Sequence, residues 1–152
     1  MTAKDELTKI LGAKLREFGY RKNQKAGWKQ DFDEGYRLIS IQMSQFNEAT
    51  DISFTFNVGV LFPKVEDVFC RVWNKKPSKT LDVTMGTPYE RIGWVIAGCQ
   101  NSYRDIWWSI NSGTDIDELG TEISLLLADK CVPVLSELDR MRLTSDLSLI
   151  HI

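Results

Sequence analysis

An α+β domain is the fold class this sequence predicts: a single antiparallel β-sheet of about five strands, with N-terminal, middle and C-terminal helices packed on one face. Three observations predict it. Apolar residues recur every three or four positions near both ends of the chain, which is the helical period. Two central stretches, residues 36–46 and 52–62, alternate apolar and polar, which is the strand period. Short polar turns, Asp33-Glu34-Gly35 and Asn47–Asp51, separate the central strands and suit antiparallel neighbours.

The first element is a helix over residues 3–18. Leu7, Leu11, Leu15 and Phe18 form one apolar stripe, with Ile10 alongside. Thr2 is placed to cap its start, and Asp5 and Glu6 favour its first turn through the helix dipole. Gly19 is placed to end it, with Tyr20 folding back onto Leu15. Three strands follow, over 27–33, 36–46 and 52–62. Ile39, Ile41 and Met43 share a face, as do Phe54, Phe56, Val58 and Val60. Both sets are apolar, so odd positions of the second strand must lie beside even positions of the third. Opposed residue numbers therefore sum to an odd value near 97 or 99, and either register makes Gln42 and Asn57 neighbours, opposite or diagonal.

Pro63 stops the third strand. A short helix over 64–75 is expected to bury Val65, Val68, Phe69 and Val72. Lys75–Pro88 reads as a polar connector. Residues 89–97 alternate, with Ile92, Trp94 and Ile96 on one face and Arg91, Gly93 and Val95 on the other, so a strand is expected. Residues 106–110 predict a short strand. A helix beginning near Thr114, with Thr114 and Asp117 as an imperfect capping box, carries Ile116, Leu119, Ile123 and Leu126. Pro133 fits the first turn of a further helical piece bearing Val134, Leu135, Leu138 and Met141.

The chain has 152 residues, 43% of them hydrophobic, which suits one domain with a proper core. Its net charge of −2 argues against general affinity for nucleic acid or anionic membrane. The charge is uneven. Residues 1–29 hold eight Lys/Arg against three Asp/Glu, a balance of +5, so the remainder carries −7. The basic stretch can bind RNA or an acidic partner; the plainer reading is the solvated face of an amphipathic helix and its exit loop. Cys70, Cys99 and Cys131 are odd in number and widely spaced, which suits reduced, buried thiols and a cytoplasmic location. Met1–Lys9 is too polar for a signal peptide, and no apolar run approaches the roughly 20 residues of a membrane span.

Residues 147–152, Leu-Ser-Leu-Ile-His-Ile, match one reading frame of the transposon end used in tagmentation sequencing libraries. They are expected to be an adapter scar, leaving 1–146 as a single α+β domain; a short amphipathic tail is the alternative. His151 is the sole histidine. Its place in that tail disfavours Ser-His-Asp, Cys-His and His-metal chemistry, and no cofactor is expected.

Several motifs together resemble the bacterial family DUF4304, a domain of unknown function. They are Gly19-Tyr20-Arg21-Lys22 after the first helix, Trp28, Ile41-Gln42-Met43-Ser44, and Phe54-Thr55-Phe56-Asn57-Val58-Gly59-Val60. Arg91-Ile92-Gly93, Trp107-Trp108 and Cys131-Val132-Pro133-Val134-Leu135 extend the resemblance over most of residues 5–140. It implies a fold and no mechanism.

The outward sheet face is the candidate surface. Gln42, Ser44, Asn57, Arg91 and Trp107 are its expected binding residues, beside Ser40, Thr55 and Ser109. Arg91 can clamp a carboxylate or phosphate, Trp107 can stack on a planar group, and the amides offer donors and acceptors. Simple alternation equally produces a polar outward face, with Arg91 paired to Asp31 or Glu90 and Trp107 covering a sheet edge. The function expected is a non-enzymatic protein-binding module, for instance an immunity-type protein that neutralises a basic toxin. A small-molecule-binding or hydrolytic domain, with a pocket between sheet and helices, is the alternative.

Overall fold

Helix α1 spans Ala3–Arg16 in a computed structural model that describes residues 2–23, 27–48, 50–76, 89–96 and 105–137. Both of its ends are built as the sequence predicts. Thr2 Oγ1 accepts the Asp5 backbone N–H at 3.1 Å, and the Asp5 carboxylate accepts the Thr2 backbone N–H at 3.2 Å. This reciprocal box satisfies N–H groups that the helix itself leaves open. At the other end Gly19 takes φ +85°, a conformation that favours glycine. Its N–H reaches Arg16 O, and the Tyr20 N–H reaches Leu15 O, both at 3.1 Å. This Schellman closure drops Tyr20 into the core beside the last turn.

Among the described residues the sheet has six strands: β1 (Arg21–Asn23), β2 (Gly27–Phe32), β3 (Gly35–Met43), β4 (Ile52–Leu61), β5 (Tyr89–Arg91) and β6 (Trp108–Ile110). All pairings are antiparallel, in the order β1-β2-β3-β4. The far edge of β4 is shared: β5 pairs with Asn57–Gly59 and β6 with Ile52–Phe54. The β3–β4 register places Ser40 opposite Asn57 and Gln42 opposite Thr55, the register summing to 97. Gln42 and Asn57 are therefore diagonal neighbours.

Trp28, Ile39, Phe54, Phe56, Val58 and Val60 form the core face of the sheet. Phe54 and Phe56 meet edge-on at 5.9 Å, and Trp108 of β6 contacts both rings. Leu7, Leu11 and Leu15 of α1 close over this face, together with Ile123 of α4 (Ile116–Leu126). Beyond α4 the chain makes a π-helical turn, Leu127–Cys131, and continues as helix α5 over residues 132–137. Ile123, Leu127, Cys131 and Leu135 are all fully buried at intervals of four. In a straight α-helix each such step drifts about 40° around the axis. The wider π turn offsets that drift. It also lets Pro133, which has no N–H to donate, enter the first turn of α5 as expected.

Three local expectations are corrected. Residues 89–97 are not one strand: β5 ends at Arg91 and a short helix, α3 (Ile92–Ile96), follows. Ile92, Val95 and Ile96 meet the core at helical spacing, and the same residues also fit an alternating pattern in part, which is why period alone misread them. Helix α2 (Pro63–Trp73) does carry Pro63 in its first turn, yet only Val65 of its apolar stripe is buried. Val68 is half-buried, while Phe69, Val72 and Trp73 are exposed, because only the first turn reaches the core. Finally, Asp115 rather than Thr114 caps α4, accepting the Glu118 N–H at 3.2 Å. The Thr114 hydroxyl instead accepts the Asn111 N–H at 2.9 Å and tightens the preceding turn. Most of Lys75–Pro88, Cys99, and residues 147–152 with His151 lie outside the described residues.

Candidate functional site

The outward face of the sheet centres on Asn57, which stands between Ser40 on β3 and Arg91 on β5. Asn57 is only 7% exposed. Its Nδ2 donates to Gln42 Oε1 at 2.6 Å, so the diagonal register becomes a direct amide–amide bond. One step along β4, the Thr55 hydroxyl donates to the Ile106 backbone carbonyl at 2.6 Å. That bond fastens the segment before β6 to the sheet and buries Thr55 completely.

Trp107 follows directly. Its indole N–H donates to Asp105 Oδ2 at 2.9 Å, and the Arg91 guanidinium lies over its ring at 5.4 Å. The same Asp105 oxygen is 3.7 Å from Arg91 Nη1. Arg91, Asp105 and Trp107 thus form a closed triangle. A cation–π contact of this kind is worth about 0.5–1 kcal/mol at an accessible site, and a partly exposed ion pair about as much or less. Each contact is modest, but together they fix the plane of the indole.

Beside this triangle runs a groove of about 710 Å³, lined by Gln42, Ser44, Phe46, Ser53 and Trp107, with Met43 and Gln45. Ser44 continues the ladder through its N–H to Ser53 O at 2.9 Å. Its Oγ accepts the Phe46 N–H at 3.2 Å, which turns the chain and holds the Phe46 backbone at the rim. Phe46 is 83% exposed and Trp107 39%. Two large aromatic residues therefore stand open along one groove.

All five residues expected from the sequence fall in this one region. Gln42, Ser44 and Trp107 line the groove; Asn57 lies beneath Gln42, and Arg91 packs on Trp107. Sequence reasoning missed Asp105 and Phe46. The signal for Asp105 was its place two residues before Trp107; for Phe46 it was one aromatic within a polar loop. Arg91 pairs with neither Asp31 nor Glu90 as the sequence suggested: Asp31 is held by Arg21 at 2.9 Å near the other edge of the sheet. Nor is the outward face an open polar plain. Thr55 and Asn57 are buried, and Leu38 and Leu61 form a second apolar cluster on it with Tyr36.

Among the described residues the groove lining holds no acid, base or thiol. Among the described residues no three His, Cys, Asp or Glu side chains gather as a metal site. Cys70 and Cys131 are free thiols. Burial pushes the Cys131 thiol up to about 12. Partial burial, then the nearby Glu66 carboxylate, raises that of Cys70. Neither is a thiolate at neutral pH. Among the described residues no helix is long and apolar enough to cross a membrane.

An antiparallel sheet with α1, α3 and α4 on one face, and an aromatic-flanked groove at one end of the other, defines an α+β domain. The chain matches the family described as Domain of unknown function (DUF4304) over residues 11–137, and it belongs to that family. No curated protein and no solved structure matches it.

Proposed function

We propose that this protein is a non-enzymatic protein-binding module whose partner docks on the groove between Phe46 and Trp107. The observation that carries this reading is the groove's own chemistry. Among the described residues its walls are amides, hydroxyls, the Met43 thioether and two exposed aromatic rings, side chains that bind by contact and hydrogen bonding. That is the composition of a docking surface, in which Trp and Arg are the residue types that most often dominate binding energy. Trp107 is held in place by Arg91 and Asp105, so little freedom is lost when a partner covers it. Glu48 and Asp51 lie on the loop beyond Phe46, and Asp105 stands by Trp107. The partner that this rim favours is a basic protein, the class to which a toxin neutralised by an immunity-type protein would belong.

The experiment is selection of a displayed random-peptide library on the folded protein, with each enriched peptide retested on Trp107→Ala, Phe46→Ala and Arg91→Ala. All three side chains are at least partly exposed, so the variants should fold. Enriched peptides rich in Lys or Arg, with binding to the Trp107 and Phe46 variants reduced about tenfold or more, are the expected result. Peptides that bind all three variants as well as the parent, or no enrichment, would refute the docking surface.

A further inference from the structure

The basic N-terminal stretch lines a second cavity, separate from the groove and placed at the opposite edge of the sheet. Asp5, Thr8, Gly12 and Arg16 recur along one stripe of α1 at steps of three and four, with Lys9 beside them. This stripe faces the start of the sheet, where Lys22 of β1 and Trp28 of β2 are direct cross-strand partners. Opposed residues project from the same face, so Lys22 emerges beside the Trp28 indole and next to α1. Between helix and strands lies a cavity of about 210 Å³, into which Lys9, Arg16 and Lys22 bring three cations.

Three details make this more than a charged surface. None of the three cations is in an ion pair with a described residue, in contrast to Lys14, which pairs with Glu17 at 3.1 Å, and Arg21, which pairs with Asp31. Trp28 is 2% exposed, yet its indole N–H makes no hydrogen bond to any described residue. That N–H lies on the cavity wall, because the position a Cβ would take on Gly12 is 3.1 Å from Trp28 Nε1 and both residues line the cavity. An indole N–H that opens on a cavity is free to donate to a ligand that enters it. Two of the other polar groups of the lining are engaged within α1. The Thr8 hydroxyl donates to Lys4 O at 2.8 Å, and the Asp5 carboxylate accepts the Thr2 N–H in the helix cap.

The geometry points to an anion site: the cavity under α1 binds the phosphate group of a small phosphorylated ligand, with Arg16, Lys22 and Lys9 around the oxygens and the Trp28 indole N–H donating to one of them. The site presents donors and positive charge, net +2 after Asp5, which is what an oxyanion requires. Its volume sets the size of the ligand. It equals about seven water volumes and is below the roughly 300–1,000 Å³ of drug-sized pockets, so it suits a phosphate with a small organic remainder. It lies along the side of α1 and not at its end, which distinguishes it from a phosphate cradle built on a helix N-terminus.

The test is an NMR titration of the folded protein with inorganic phosphate and with glycerol phosphate, at ionic strength held constant with chloride. The reporter is the assigned Trp28 indole N–H, resolved from those of the other tryptophans. Saturable movement of that resonance by both probes is expected. Arg16→Gln combined with Lys22→Gln should weaken binding about tenfold or more without altering the fold, since both residues are exposed. Gly12→Ala, which sets a methyl against the indole nitrogen, should abolish the Trp28 movement. Movement that is linear in concentration, reproduced by chloride, or unchanged in the double variant would overturn the site. A short single-stranded RNA that binds tenfold more tightly than glycerol phosphate would overturn the small-ligand assignment. Loss of this site leaves the peptide-docking result untouched, because no residue is shared.

Discussion

Replacing Gln42 by Met removes the acceptor of the Asn57 side chain while keeping the length of the aliphatic stem. Asn57 is 7% exposed, so its Nδ2 cannot recover a water in place of the lost 2.6 Å bond. A stranded donor of this kind costs about 1–3 kcal/mol, and the depth of Asn57 places the expected loss near 2 kcal/mol. For a chain of this length that is a fall in Tm of roughly 4–8 °C. The reverse substitution, Asn57→Leu, strands only Gln42, which is half-buried and can turn its amide to solvent, so it should cost less than about 1 kcal/mol. The double variant Gln42→Met/Asn57→Leu leaves neither amide stranded and should return to within about 1 kcal/mol of the parent. Urea denaturation followed by tryptophan fluorescence reads all four proteins in one thermodynamic cycle. Additive single effects, or a Gln42→Met loss below about 0.5 kcal/mol, would refute the claim that the pair acts as one buried unit.

Other outcomes follow from single features. A Cβ at Gly35 would stand 2.0 Å from the Leu61 carbonyl oxygen, which is backbone and cannot swing away. Gly35→Ala should therefore cost about 3 kcal/mol or more, while Gly113→Ala, whose nearest neighbour is 3.5 Å away, should change stability by less than about 0.5 kcal/mol in the same denaturation assay. The Thr2 hydroxyl and backbone N–H hold the Asp5 carboxyl below its ordinary 3.8. The cap's contribution is then complete above pH 3.8 and is lost as pH falls through the lowered folded value. Carboxyl carbon NMR should give Asp5 a midpoint below 3.8 that moves back up in Thr2→Val; no difference between the two proteins would contradict the cap. Cys131, fully buried with its thiol near 12, should resist iodoacetamide at pH 8 until the protein unfolds, which peptide mass spectrometry reads directly.

Much of this architecture is legible in the residues because it rests on period and parity. The alternation of Phe54, Phe56, Val58 and Val60 against Ile39, Ile41 and Met43 leaves few registers that bury both sets, and one of them brings Gln42 to Asn57. The ends of α1 are legible because Thr2 and Gly19 act through local backbone geometry alone. What could not be read is what meets each apolar face. The stripe of α2 announces a helix, yet Phe69 and Val72 stay exposed because tertiary placement, not periodicity, decides burial. In the same way, Arg91 was placed on the correct face with the wrong partner. Asp105 reaches it only because Thr55 fixes the Ile106 carbonyl against the sheet, a contact spanning 51 residues of chain. The cavity beneath α1 was hidden for a different reason: its cations read individually as a solvated helix face, and only the β1–β2 register adds Lys22 and the indole of Trp28.

The divided edge of β4 bears on how this protein would fail. Residues 54–60 are uncharged, contain no proline and are rich in aromatic and β-branched side chains, the composition of segments that stack into cross-β fibrils. In the fold both edges of that segment are occupied, one by the long strand β3 and the other by two strands of three residues each. Short strands open at free energies well below that of global unfolding. Momentary loss of β5 or β6 would present a hydrophobic edge to a second molecule while the core remained intact. Storage stability and yield at high concentration would then follow the attachment of those two small strands more closely than the melting temperature, and the Thr55–Ile106 bond that secures the approach to β6 becomes a guard against fibre formation.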